Sequence, residues 1–165
     1  MTESKYIWMD GEFTPWNEAK VHVLSHTLHY GNGAIEGTKA YKTVDGRCAI
    51  FKLNEHTQRL LNSSKMTLMN VPFSLEELNK AQVELLQKNE LTNGAYIRPL
   101  VYLGYGVMGL YHKDAPVKVS ISAWEWGAYL GEEGLKKGVR VKISSFTRTP
   151  NTSGMGKAKS VANYM

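Results

Sequence analysis

The last residues of the chain contain a lysine that could act as a nucleophile. Lys159 lies in a predicted loop, and Asn163 and Tyr164 follow at its fourth and fifth positions. A lysine amine held beside a phenol can form Schiff bases with carbonyl compounds. Lys157 competes for this role, since most lysines are surface charges and the residue type alone decides little. We therefore expect the sequence to end inside an active site that further residues complete.

Two arginines are candidates for binding anions. Tyr96 and Arg98 alternate along a predicted strand, so the phenol and the guanidinium lie on the same face and suit a carboxylate. The residues leave open whether Arg98 pairs with an internal acid or receives an anionic ligand. Arg59 lies in a predicted helix and could donate to a phosphate, although an isolated helical arginine is usually solvated.

Two other motifs point less clearly to a site. Residues 104–109 match G-x-G-x-x-G, but another strand follows where a dinucleotide site needs a helix, so the pattern favours a flexible loop. His22, His26 and His29 fall at helical spacing, yet no carboxylate appears before Glu36 and no cysteine lies nearby. Hydrogen-bonded histidines are therefore a better interpretation than a metal site, and we assign no metal.

The elements that would position these residues form an α+β fold, because strands outnumber helices and the helices lie together in mid-chain. One helix is predicted from an N-cap at Asn54 to about Met66, and a second opens with a capping box of Ser74 and Glu77. The turn at Asp10 predicts a hairpin between the first two strands. The predicted strands cover 6–9, 12–14, 34–42, 47–51, 96–103, 117–124 and 139–145.

Glycines divide the chain into two predicted domains. Residues 126–134 contain three glycines between strand patterns and are interpreted as an interdomain linker. Residues 1–125 would then form a small α+β domain. Residues 135–165 would begin a larger domain that binds a cofactor.

Composition excludes several classes of protein. The 165 residues are 42% hydrophobic and carry a net charge of +5. Residues 134–165 hold seven basic and no acidic side chains, whereas residues 1–133 hold thirteen basic and fifteen acidic. Basicity confined to one end, without interleaved aromatic residues, argues against nucleic-acid binding. With one cysteine, Cys48, and no apolar run of membrane-spanning length, we expect a cytoplasmic protein without membrane contact.

Taken together, the motifs resemble one enzyme family. The order of five blocks is similar to that in the branched-chain aminotransferases of the class IV, fold-type IV pyridoxal-phosphate family, and the resemblance covers essentially the whole chain. The blocks are 22–31 (HVLSHTLHYG) with Glu36-Gly37, 55–60 (EHTQRL), 95–100 (AYIRPL), 126–131 (WGAYLG), and 150–152 (PNT) with Lys159, Asn163 and Tyr164.

This resemblance implies a role for each matching residue. Lys159 would be the Schiff-base lysine, distinguished from Lys157 by the K-x-x-x-N-Y spacing. Arg59 would contact the phosphate of pyridoxal 5′-phosphate, and Tyr164 would lie beside the cofactor ring. The loop around Met108 and Leu110 would reach into the active site of a neighbouring subunit. This implies at least a homodimer. The implied substrate pocket consists of Tyr30, Tyr96, Arg98, Trp126 and Tyr129.

The implied activity is reversible, ping-pong transfer of an amino group between leucine, isoleucine or valine and 2-oxoglutarate, in branched-chain amino acid biosynthesis. A D-amino-acid aminotransferase or an aminodeoxychorismate lyase of the same fold is an alternative. A third alternative is an inactive domain fragment that only self-associates.

Overall fold

The computed structural model describes residues 2–127, 131–147, 150 and 154–164. Within them, seven strands form one sheet in which every neighbouring pair is antiparallel. The strand order is β2-β1-β7-β6-β4-β5, and β3 pairs with β6 beside β4. The strands are β1 Tyr6–Met9, β2 Glu12–Pro15, β3 Gly33–Ile35, β4 Thr38–Lys42, β5 Cys48–Ile50, β6 Ala95–Leu103 and β7 Val117–Trp124.

Two of the described α-helices cover one face of this sheet. The short α1 spans His26–Tyr30, α2 spans Leu53–Met66, α3 spans Leu75–Lys88 and α4 spans Gly131–Lys137. Helices α2 and α3 pack against each other and against the sheet. The predicted capping box is confirmed, since Ser74 accepts from the Glu77 amide and the Glu77 carboxylate accepts from the Ser74 amide. The described helices include none both long and apolar enough to cross a membrane.

The alternation along β6 explains why a cleft can form on the other face. Ile97 is fully buried in the core with Leu78 and Leu85 of α3. Tyr96 and Arg98 are half-buried and point the opposite way, because successive side chains of a strand lie on opposite faces. The helices therefore occupy one side of β6, and polar and aromatic side chains gather on the other.

The strand predicted at 34–42 is interrupted at Glu36 and Gly37, between β3 and β4. Its register against β6 continues across the interruption, because Ala34 faces Val101 and Thr38 faces Ile97. The Glu36 amide also still donates to the Pro99 carbonyl, at 3.0 Å. The interruption thus changes the ladder only locally, at a carboxylate that is 1% exposed.

One boundary prediction is wrong. Helix α2 begins after Lys52, whose φ of 53° is left-handed, and not after Asn54. The Asn54 side chain is instead used between helices, because its carbonyl oxygen accepts from the Asn79 amide at 2.6 Å. Helix α4 begins at Gly131, within the segment 126–134 that the glycines predict as a linker. An ion pair of 2.8 Å joins Glu133 to Lys137, one helical turn later.

The strand predicted at 139–145 is also wrong. This segment has no regular secondary structure, and none of the seven strands pairs with it. Its alternating side chains Val141 and Ile143 are almost fully exposed. A strand needs the hydrogen bonds of a neighbour, and the described residues offer none at this point.

Candidate active site

A cleft of about 580 Å³ lies beside β6, where Tyr96 and Arg98 line it. Its volume falls within the range of about 300–1,000 Å³ that ligand pockets occupy. A lysine, a phenol, an arginine and an indole meet there although they are far apart in sequence. The lining residues are Ile35, Glu36, Lys39, Tyr96, Arg98, Trp126, Gly127, Lys159 and Tyr164.

The backbone of Lys159 is held from two sides. Its amide donates to the Ser63 hydroxyl of α2 at 3.0 Å, and its carbonyl accepts from the Ile35 amide of β3 at 3.0 Å. The next residue, Ser160, forms an antiparallel bridge with Ala34. The lysine therefore extends the edge of the sheet beyond β3.

The side chains that follow Lys159 complete its surroundings. Asn163 folds back, with its side-chain amide donating to the Ala158 carbonyl at 2.9 Å. This turn brings the Tyr164 hydroxyl into hydrogen-bond contact with Lys159 Nζ, which lies 4.7 Å from the centre of the tyrosine ring. The K-x-x-x-N-Y spacing thus places an amine against a phenol, as the sequence predicts. Lys157 does not line the cleft and is exposed.

Arg59 is oriented by a carboxylate that sequence reasoning did not single out. Glu36 accepts from Arg59 Nε at 2.5 Å and from Nη2 at 2.9 Å, and His56 Nδ1 lies 2.9 Å from the same carboxylate. Burial alone would raise the pKa of Glu36, but the hydrogen bonds from Arg59 and His56 lower it below its usual value. The bonds to Glu36 raise the pKa of Arg59. Both partners are therefore charged near neutral pH.

The contact with Glu36 occupies only some of the hydrogen-bond donors of the Arg59 guanidinium. Its side chain is 53% exposed and lines a second pocket of about 360 Å³, most of whose lining residues belong to α2. Glu36 lines the main cleft, so Arg59 lies directly behind one wall of it. An electrostatic interaction with Tyr164 makes a smaller contribution to raising the pKa of Arg59. The structure thus brings Arg59 near the cleft without making it a lining residue.

Tyr96 and Arg98 act as a pair, as their alternation predicts. Arg98 Nη2 donates to the Tyr96 hydroxyl at 2.8 Å. Arg98 Nε is buried and has no hydrogen-bond partner among the described residues. Gly37 makes room for the phenol, since a Cβ at that position would lie 2.0 Å from the Tyr96 oxygen. The sequence left open whether Arg98 pairs with an acidic side chain of this protein. Among the described residues it has no such partner, which favours an anionic ligand.

An aromatic wall closes one side of the cleft. The ring of Tyr96 lies 4.7 Å from that of Trp126, edge to face, and 5.1 Å from that of Trp124. Trp124 and Trp126 are 5.7 Å apart. Trp124 is directly opposite Tyr96 in the sheet and is mostly buried, so it supports the two rings that line the cleft. Such a wall offers apolar surface to an aliphatic side chain.

One of the predicted pocket residues, Tyr30, does not line this cleft. Tyr30, at the end of α1, packs on His26 with the ring centres 4.5 Å apart. His26 Nε2 in turn contacts the Gly109 carbonyl at 2.8 Å, so Tyr30 lies beside the loop that carries Met108. Tyr129 lies outside the described residues.

The histidine and glycine motifs have structural roles. His26 Nε2 and His29 Nε2 each contact a backbone carbonyl, and His22 Nδ1 accepts the Leu24 amide. Such contacts agree with the interpretation of hydrogen-bonded histidines. Residues 104–109 form a loop after β6, with no helix following.

Sequence reasoning missed the residues that support the site. Glu36 and Gly37 occur in one of the family-like blocks. The role of Glu36 depends on its contact with Arg59 of α2, and that of Gly37 on the close approach of Tyr96. Ser63 carried one usable signal, because it is a polar residue on the inward face of an amphipathic helix. Trp124 resembles an ordinary strand residue, and only its pairing with Tyr96 reveals its position behind the wall.

The chain is similar in sequence to known aminotransferases. The family described as amino-transferase class IV matches residues 33–165. A branched-chain-amino-acid aminotransferase of Pseudomonas aeruginosa is 47% identical over 159 residues, which cover 96% of this chain and 51% of that protein. A branched-chain-amino-acid aminotransferase of Escherichia coli K12 is 43% identical over 173 residues, which cover 100% of this chain and 54% of that protein.

Solved structures agree with this similarity. The crystal structure of the Escherichia coli branched-chain amino acid aminotransferase has a TM-score of 0.90 at 42% identity, over 98% of this chain and 53% of that one. The branched-chain amino acid aminotransferase from Thermoproteus uzoniensis, solved with norvaline, has a TM-score of 0.89 at 36% identity. The match covers 98% of this chain and 53% of that one. The chain spans about half the length of the relatives it matches.

Proposed function

Because the chain belongs to the class IV aminotransferases, we propose that it supplies the reactive lysine and the substrate-binding residues of a branched-chain amino acid aminotransferase. One observation carries this proposal: Lys159, in contact with Tyr164, shares a cleft with the paired Tyr96 and Arg98. An amine and a carboxylate-binding pair in one cleft suit an amino acid or a 2-oxo acid. The relatives of known structure support the same chemistry.

The residues present fit pyridoxal phosphate, which class IV aminotransferases use. Lys159 would hold the cofactor through its amine, and Tyr164 would lie beside its ring. Arg59 would bind the phosphate, since the contact with Glu36 uses two of its five N–H donors. When bound, the cofactor supplies an aldehyde and an electron sink for the substrate. Another similar branched-chain amino acid aminotransferase was solved with N-(5′-phosphopyridoxyl)-L-glutamate, in line with this assignment.

The remaining residues would bind substrate and move a proton. Lys159 Nζ would accept the proton that leaves the α-carbon of the bound amino acid, and the Tyr164 hydroxyl would orient that nitrogen. Arg98 and Tyr96 would bind the distal carboxylate of glutamate. The Trp126 wall would receive the branched side chains of leucine, isoleucine or valine. The two substrates would thus use the same cleft in turn, which predicts ping-pong kinetics.

Exposed apolar residues support self-association. The loop after β6 exposes Met108, Leu110 and Tyr111, and α1 exposes Leu28 and Tyr30 beside it. A contiguous apolar surface of this kind typically marks an interface. We propose that the protein is a homodimer or a larger homo-oligomer through this surface. A cytoplasmic location and a role in branched-chain amino acid biosynthesis stay predictions.

Covalent trapping tests the assignment of the lysine. The chain is incubated with pyridoxal phosphate, reduced with borohydride and mapped by peptide mass spectrometry. We expect a phosphopyridoxyl adduct on Lys159 that is lost in Lys159→Ala and kept in the matched control Lys157→Ala. An adduct on Lys157 would show that the motif is aligned wrongly, and no adduct at all would favour the inactive fragment.

A substrate panel separates the activities of this fold. Transfer from L-leucine to 2-oxoglutarate is expected, without transfer from D-alanine and without cleavage of aminodeoxychorismate. Turnover of either alternative substrate in preference to L-leucine would reject the proposed specificity while leaving the role of Lys159 intact.

A further inference from the structure

We propose that Ser63 is a positioning residue for Lys159, an inference that rests on the function proposed above. Ser63 lies in α2 and is 1% exposed, and its hydroxyl accepts the backbone N–H of Lys159 at 3.0 Å. It is four residues after Arg59, which places both side chains on the same face of the helix. One helix would therefore position both the guanidinium that binds phosphate and the reactive lysine.

The contact acts on the backbone of the lysine and does not involve its amine. The carbonyl of Lys159 is bound on its other side by the Ile35 amide, so both polar groups of the residue are fixed. The flanking residues Ala158 and Ser160 are buried, which limits access of water to this peptide. With the peptide fixed at both groups, the side chain starts from a defined direction and Nζ meets Tyr164. A buried N–H that loses its acceptor is strongly disfavoured, so the segment would shift to find another partner.

The neighbouring serine provides a matched control. Ser64 is also fully buried in α2, but its hydroxyl donates to the Leu60 carbonyl of the same helix at 2.9 Å. Removing either hydroxyl deletes one buried oxygen from the same helical turn. Only Ser63→Ala removes a contact with Lys159. A purely structural role for Ser63 would make the two variants equivalent.

Two measurements on the full chain test the proposal. Hydrogen–deuterium exchange reads the protection of the Lys159 amide and needs no cofactor. Labelling with pyridoxal phosphate and borohydride gives the ratio of adduct on Lys159 to adduct on the exposed Lys157. In Ser63→Ala we expect faster amide exchange at Lys159 and a labelling ratio lower by about tenfold, equivalent to about 1.4 kcal/mol. Ser64→Ala should leave both at the wild-type level.

Thermal unfolding of each variant establishes that it is folded. If Ser63→Ala does not fold, Ser63→Cys keeps the volume with a weaker acceptor and should give the same two changes. Unchanged amide exchange in the Ser63 variant, or an equal fall in labelling in Ser64→Ala, would overturn the proposal. Failure of the proposed function looks different, because wild-type Lys159 would then be labelled no more than Lys157.

Discussion

Gly37 is the position where one added methyl group should disturb the cleft most directly. In Gly37→Ala the new Cβ would lie 2.0 Å from the Tyr96 oxygen and 2.9 Å from Cζ. Ordinary contact begins at 3.4 Å, so the phenol oxygen would have to retreat by about 1.4 Å. Its hydrogen bond of 2.8 Å with Arg98 would not survive such a displacement.

The size of the effect follows from these contacts. Overpacking of this kind costs about 1–3 kcal/mol, which should appear in the free energy of unfolding. Losing a hydrogen bond to a charged group costs about 1.5–3 kcal/mol. Since Tyr96 and Arg98 would bind a carboxylate together, the affinity for glutarate, an unreactive analogue of glutamate, should fall by about tenfold or more.

Titration calorimetry with glutarate and chemical unfolding measure the two effects. Gly127→Ala is the matched control, because it adds the same methyl group at the same cleft with no described atom within 4 Å. In a Tyr96→Phe background, the cost of Gly37→Ala should shrink, since the atom of closest contact is gone. Wild-type affinity in Gly37→Ala, or an equal cost in both backgrounds, would refute the close-approach argument.

Three further predictions concern charge and capping. Arg98→Ala should raise the KM for glutamate far more than that for leucine, and equal losses on both substrates would reject the role of the arginine. Glu36→Gln should lower the free energy of unfolding by about 1–3 kcal/mol at pH 7, a range reduced because Arg59 is half exposed. The pKa of Glu36 is lowered on folding, so its stabilisation is present above the usual carboxyl range and lost as pH falls through the lowered value. Urea unfolding from pH 7 to 3 should show the difference from wild type shrinking at the acid end, and a constant difference would contradict the ion pair. Ser74→Ala should lower the free energy of unfolding, measured by thermal unfolding, by about 1 kcal/mol, because it removes the acceptor for the Glu77 amide. An unchanged free energy would mean that the cap does not stabilise the helix.

Local patterns predicted those parts of the site that local geometry controls. The alternation of Tyr96 and Arg98 on a strand fixed their common face, because side chains of a strand repeat every two residues. The spacing from Lys159 to Tyr164 needs only one tight turn, which Asn163 closes through its own side chain. The capping box at Ser74 is equally local and is confirmed.

Contacts made across the sheet could not be predicted in this way. Glu36 and Arg59 are far apart in sequence, and helical spacing rules apply only to neighbours on one helix. The alternation at 139–145 satisfies the pattern of a strand, but a pattern cannot supply the neighbour that a strand needs. At Lys52 a left-handed residue starts α2 without a side-chain cap, and no propensity favours lysine there.

The bridge between Ala34 and Ser160 joins two segments that leave the ribosome at different times. The ribosome releases the chain from its amino-terminal side, so β3, β6 and β7 emerge well before Lys159. Closing a loop of this length costs entropy, which the contacts with the edge of the sheet and with α2 offset. The lysine is therefore expected to dock after these strands, onto a surface that already carries Tyr96 and Arg98. A growing chain would acquire the groups that recognise an acid before it gains the amine that reacts with a carbonyl.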